Sequence, residues 1–149
     1  MSLLKLSQAV AIIDAALAEG RKRNFSLLAV AVLDPGGHVI AFKREDGASF
    51  LRFELAYGKA WGALAMGFGS RELAERAGKQ PAFINALAAV TQGRMVPSPG
   101  GVLVTGADGQ VLGAVGISGD TGDNDEVCAL AGIAAAGLSA IPGAKAKPA

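Results

Sequence analysis

One cysteine and one histidine are all this chain has of two common metal ligands. Cys128 alone cannot close a disulfide within the chain, and no set of cysteines exists for a zinc cluster. Charge of one sign is lacking too: 14 basic against 13 acidic residues leave a formal net charge of +1. That balance gives no field to hold nucleic acid or an anionic membrane. No apolar stretch reaches 18 residues without a glycine turn or a charge, so a transmembrane helix is not expected. Met1-Ser-Leu-Leu-Lys-Leu-Ser-Gln8 lacks the order of basic region, apolar region and cleavage site, which predicts a cytoplasmic protein. There is no Gly-x-x-x-x-Gly-Lys phosphate loop and no Gly-x-Ser-x-Gly elbow, and a Ser/His/Asp triad would have to use His38. Aromatic residues make up only 5%.

What is present is small and apolar. Hydrophobic residues are 51% of the 149, with 21 glycines, so the core is built from closely approaching elements. A chain of this length forms about one domain and buries roughly 70% of its unfolded surface. Two stretches share one design: Leu28 to Arg44 around Asp34-Pro-Gly-Gly37, and Gly101 to Ser118 around Ala107-Asp-Gly109. An apolar run, an Asp/Gly turn and a second apolar run are the signature of a β-hairpin. Leu27 to Leu33 is apolar at all seven positions, which predicts a strand covered on both faces. The returning strand from His38 to Arg44 belongs nearer an edge.

Helical spacing fills the remainder. Ser7 is a candidate cap for a helix to Arg23, with Val10, Ile13 and Leu17 on one stripe and Ala9 and Ala16 beside them. Phe50 to Met66 carries a stripe of Phe53, Ala56, Ala60 and Leu64, while Gly58 and Gly62 thin another side. Ser70 is placed to cap a short helix to Ala77, and Pro81 fits the first turn of another to Val90. Asp120 to Glu126 introduces a last helix with Val127, Leu130, Ala131, Ala134 and Leu138 inward. A short extra strand near Met95 is an option. Residues 1–143 form a single domain in this reading, and 144–149 form a frayed Lys/Pro/Ala tail.

In that order the chain resembles the GlcG/HbpS-like family of haem-binding and haem-degrading-type domains, and the related PduO C-terminal domain. The resemblance rests on Val30-Ala-Val-Leu-Asp-Pro-Gly-Gly-His38, Phe42-Lys-Arg-Glu-Asp-Gly-Ala48, Lys59-Ala60, Gly100-Gly101-Val102, Gly113 to Gly122, and Asp125-Glu126. It implies an α+β, profilin-like α-β-α sandwich: a central antiparallel sheet of two hairpins, four or five strands, flanked by helices. It also implies haem or another tetrapyrrole as ligand, dimer-based homo-oligomers from tetramer to octamer, and catabolic operons.

Candidate site residues follow from chemistry set beside that resemblance. Arg44 offers a planar fork for a carboxylate, including a haem propionate, and Asp46 can orient it. Lys59 stands in an otherwise apolar helix, as a counter-charge or a base. Gly100, Gly101, Ser118 and Gly119 line the expected mouth, and Ser118 to Gly122 is an option for a backbone nest, although capping accounts for the acids that follow. His38 is chemically suited to ligate haem iron, with Tyr57, Met66, Met95 and Cys128 as weaker options. No Cys-X-X-Cys-His is present, so covalent haem attachment is excluded. The rival reading is a cofactor-free isomerase, lyase or hydrolase for a small organic acid, with Arg44 anchoring the carboxylate and Asp46 or Lys59 moving a proton.

Overall fold

A computed structural model describes residues 3–145. The apolar run becomes strand β1 (Ala29–Leu33), buried at all five positions. It lies inside the sheet because both neighbours along the hydrogen-bonding direction are strands: β2 (Val39–Arg44), its hairpin partner, and β4 (Val111–Ser118). The second hairpin is completed by β3 (Gly101–Thr105), and a three-residue strand, β5 (Ser139–Ile141), pairs with β3. All pairings are antiparallel, in the order β2-β1-β4-β3-β5. The first hairpin's return strand is thus an edge, as its mixed composition predicts.

Alternation along these strands sorts the core into two halves. Val30, Val32, Val102, Val104, Val115 and Ile117 point to one face, where α1 (Leu6–Lys22) and α5 (Gly122–Ala135) cover them. Leu33, Leu103 and Ala114 point to the other, against Ala60 and Ala63 of α2 (Arg52–Met66). Beyond α2, α3 (Ser70–Lys79) and α4 (Pro81–Val90) close a separate small cluster of Leu73, Ile84 and Met95. The result is the α-β-α sandwich expected of a profilin-like chain.

Several local expectations are corrected. The segment around Met95 is irregular, and the fifth strand comes after the last helix instead. α1 begins at Leu6; Gln8 takes the Lys5 backbone N–H at 2.9 Å, so Ser7 caps nothing. Its buried stripe is Ala9, Ile12, Ile13, Ala16 and Gly20, one step round from the predicted one. α5 buries Asp125, Cys128, Ala129, Gly132 and Ile133, whereas Val127, Leu130 and Ala131 are half-buried and Ala134 is exposed. The reason is contact distance: a Cβ on Gly132 would lie 2.4 Å from the Ile12 carbonyl oxygen, so the small-residue face is the one that fits α1. Gly58 and Gly62 do permit close packing, but against the segment around Met95 and Val96 and against Leu73. The Lys/Pro/Ala tail lies, from 146 on, outside the described residues. No helix among the described residues is long and apolar enough to cross a membrane.

Candidate functional site

The register of the sheet brings Arg44, Ala29 and Ser118 into one row, because Ala29 pairs with both of the others. Directly paired residues project to the same face. The row therefore presents Arg44 and Ser118 on the α2 side, at the end of the sheet where α2 begins. There the first residue of α2 reaches in: Arg52 Nη1 donates to Ser118 Oγ at 3.1 Å. Two guanidiniums thus stand at one corner, and Arg52 was not singled out from sequence. Its signal was available, since it lies two helical turns before Lys59 on the sheet-facing side.

Beside this row lies half of the chain's aromatic set. Phe42 of β2 meets Phe53 of α2 edge-on, centroids 4.9 Å apart, and Phe53 stacks on Tyr57 at 5.9 Å. Phe50, just before α2, is 82% exposed. These four are half of the chain's aromatic residues, gathered at one end of one helix. The low overall aromatic content concealed that concentration.

A cavity of about 520 Å³ opens at the end of β2, lined by Leu17, Leu27, Lys43, Arg44, Glu45 and Asp46. Its charged members are not equivalent. Lys43 is neutralised by Asp14 at 2.7 Å, and Glu45 is held by Arg21 at 2.9 Å and by the Leu28 N–H at 2.8 Å. Arg44 and Asp46 make no ion pair and no side-chain hydrogen bond among the described residues, with one another included. They are not tying down a loop. They are the two charges of this lining that have no partner among the described residues.

Lys59 does not share that cavity. Its ammonium is buried, donating to the Ile117 carbonyl at 2.9 Å and to Asp125 Oδ2 at 2.9 Å. Asp125 Oδ1 accepts the Asp120 N–H at 2.9 Å. Burial pushes the Asp125 carboxyl upward, with the Lys59 ammonium pulling it back down. Gly100 and Gly101 serve this arrangement. A Cβ on Gly100, whose φ is +120°, would stand 3.1 Å from Lys59 Nζ, and one on Gly101 would stand 2.2 Å from the Lys59 carbonyl oxygen. The glycines let the strand pass over a buried lysine instead of lining a mouth. Ser70, predicted as a cap, belongs here too: its hydroxyl donates to the Ser98 carbonyl and accepts the Gly101 N–H at 2.7 Å.

The loop from Ser118 to Gly122 is filled by the chain's own acids. Asp120 accepts from the backbone of Ser26 and Thr121 and from Asn124, which hold its carboxyl at about 2. Thr121 caps α5 by accepting the Asn124 N–H. A Cβ on Gly119 would stand 2.2 Å from the Leu27 carbonyl oxygen, a close approach of two backbones. Capping, not a nest for a foreign anion, is what this loop does.

His38 sits in the hairpin turn with its side chain 83% exposed and Nδ1 3.4 Å from Asp34. The length of β2 separates it from Arg44: six residues at about 3.3 Å each span about 20 Å. The structure therefore brings Arg44, Asp46 and the aromatic run to one end of the strand and leaves His38 at the other. Cys128 is fully buried, and burial pushes its thiol up to about 11, so it offers no thiolate at neutral pH. Met95 is enclosed in the α3–α4 cluster and Met66 packs beside it, while Tyr57 stands in the aromatic run.

Residues 4–134 match the family described as haem degrading protein HbpS-like. The chain is 36% identical over 117 residues to Protein GlcG of Escherichia coli K12, covering 78% of this chain and 81% of that one. A 15.0 kDa uncharacterized protein of Citrobacter freundii from the dhaT-dhaS intergenic region is 33% identical over 100 residues, covering 66% and 68%. Among solved structures, a PduOC:heme complex superposes with a TM-score of 0.83 at 28% identity, covering 93% of this chain and 98% of that one. HbpS superposes at 0.77 with 30% identity, covering 90% of each.

Proposed function

The chain belongs to the HbpS-like family of haem degrading proteins, and from that membership we propose that it binds haem, or a closely related tetrapyrrole, as a dimer-based homo-oligomer. The observation that carries the reading is the corner formed by Phe42, Phe53 and Tyr57 beside the unpaired Arg44. A flat macrocycle with carboxylate tails asks for ring faces to lie on and for a guanidinium fork, and this corner offers both. Arg52, tied to Ser118, is the second donor within the same row. Bound there, haem would supply iron chemistry that the side chains at this corner lack. Support also comes from the heme complex of the PduOC neighbour. A small carboxylate acted on by an enzyme would use the same Arg44 fork, but Lys59, its candidate base, is committed to Asp125. The cytoplasm is the compartment we assign to this chain.

Titration of the purified protein with hemin is the test. A saturable Soret band is expected at micromolar hemin. Arg44→Ala should weaken binding about tenfold to a hundredfold, the worth of a hydrogen bond to a charged group. Phe53→Ala should also weaken it, whereas His38→Ala should leave affinity unchanged. Unsaturable binding that ignores both Arg44 and Phe53 would refute the proposal.

A further inference from the structure

Haem iron takes an axial ligand from few side chains: the imidazole of His, the sulfur of Cys or Met, or the phenolate of Tyr. The chain holds one His, one Cys, one Tyr and three Met. The fold removes nearly all of them from the corner where Phe42 and Phe53 stand beside Arg44. His38 is at the far end of β2, its side chain 83% exposed. Cys128 is fully buried under the opposite face of the sheet, in the core that α1 and α5 cover. Met95 and Met66 pack with Leu73 and Ile84. Among the described residues only Tyr57 brings a ligand atom to the corner, four residues after Phe53 and stacked on its ring at 5.9 Å.

Tyr57 is half-buried, and its ring packs against the core beneath α2. Its hydroxyl makes no hydrogen bond among the described residues, where no sealed polar side-chain atom lacks a partner, so this oxygen reaches solvent. The neighbours follow one order. Arg44 and Phe42 lie two apart on the same face of β2, about 7 Å along the strand. Phe42 meets Phe53 at 4.9 Å, and Phe53 leads on to Tyr57. Guanidinium, ring faces and phenol oxygen thus run from the edge strand onto α2. Haem carries its carboxylates, its macrocycle and its iron in that same order from rim to centre.

We infer that Tyr57 is the axial ligand of the iron, through its phenol oxygen. The inference rests on the haem reading above and names the side chain that holds the metal. One bond forms from oxygen to ferric iron and the phenol proton passes to solvent, with no change of oxidation state. Arg44 answers the carboxylates and Tyr57 the metal, so the two contributions can be separated.

The experiment titrates the full chain, with Tyr57→Phe and Tyr57→His variants, against hemin and against metal-free protoporphyrin IX. The phenylalanine keeps a ring on Phe53 and removes only the oxygen. Wild type should bind hemin more tightly than protoporphyrin, with a tyrosinate-to-iron charge-transfer band and tyrosinate vibrations in resonance Raman spectra. Tyr57→Phe should lose the band, the vibrations and the preference for hemin, with protoporphyrin affinity unchanged. Tyr57→His should regain the preference with a shifted Soret band, and His38→Ala should alter nothing. A hemin spectrum unaltered by Tyr57→Phe, or altered by His38→Ala, overturns the ligand and leaves the haem site standing. Loss of protoporphyrin binding in Tyr57→Phe marks the hydroxyl as structural and overturns the ligand too. If neither hemin nor protoporphyrin saturates the wild type, the haem reading itself fails and the ligand falls with it.

Discussion

A lysine whose side chain is only 6% exposed is tolerable in an interior because Asp125 answers it, and the converse holds for Asp125. Removing one partner strands the other as a buried charge, at a cost of about 3–5 kcal/mol. Lys59→Met and Asp125→Asn are therefore expected to lower the unfolding free energy in urea titrations strongly. The double variant Lys59→Met, Asp125→Leu should regain part of the loss, because no charge is then left unpaired. Hemin affinity of the refolded double variant should match wild type, since the pair lies outside the Arg44 cavity. An intact stability for either single variant would show that the pair does not hold the interior. The sequence made Lys59 visible as a charge in an apolar helix, but its partner lies 66 residues away and nothing local names it. Arg44 and Asp46 were legible for the opposite reason. Arg44 closes β2 and Asp46 follows it, so their place at a corner of the sheet can be read from the hairpin alone.

Elements were legible where composition leaves one choice. Pro81 at the first turn and the loss of periodicity after Val90 predict α4 at the bounds observed. The all-apolar run could only be an inner strand. The helix faces were harder, because α5 is apolar on nearly every side and periodicity cannot choose among equals. Backbone approach chooses instead, through glycines whose role is invisible until a neighbour is present. Two substitutions separate these roles. A Cβ on Gly116 of β4 would stand 1.9 Å from the Ala56 carbonyl oxygen of α2, a rigid obstacle. Gly116→Ala is expected to cost about 3 kcal/mol or more, at or beyond the usual range for overpacking. Gly78, inside α3, has nothing within 4 Å of its Cβ position. Gly78→Ala should raise stability by about 0.5–1 kcal/mol through helix propensity alone. Thermal melts of the two variants should move in opposite directions. Equal destabilisation would mean that α2 does not ride on the glycine as described.

At the scale of the whole molecule, two hairpins told the class of the fold but not how it divides. The pairing of β1 with β4 joins residues nearly 90 positions apart, and the third cluster under α3 and α4 is separate from the two that sandwich the sheet. That division has a dynamic consequence. The amides of β1 are paired on both edges and covered on both faces, so they can exchange only when the sheet itself comes apart. α3 is tied beyond the small cluster, by Ser70 to Ser98 and Gly101 and by Arg71 to Asp123 and Glu126, whereas α4 leans on Leu73, Ile84 and Met95 with its outer face exposed. α4 is expected to open as a unit of its own, at a free energy well below that of global unfolding. Native-state hydrogen exchange should show Val30 to Val32 and Val102 to Val104 as the slowest amides. The amides around Ile84 and Leu87 should exchange many times faster than these. Exchange in α4 as slow as in β1 would mean that the small cluster and the sheet unfold together.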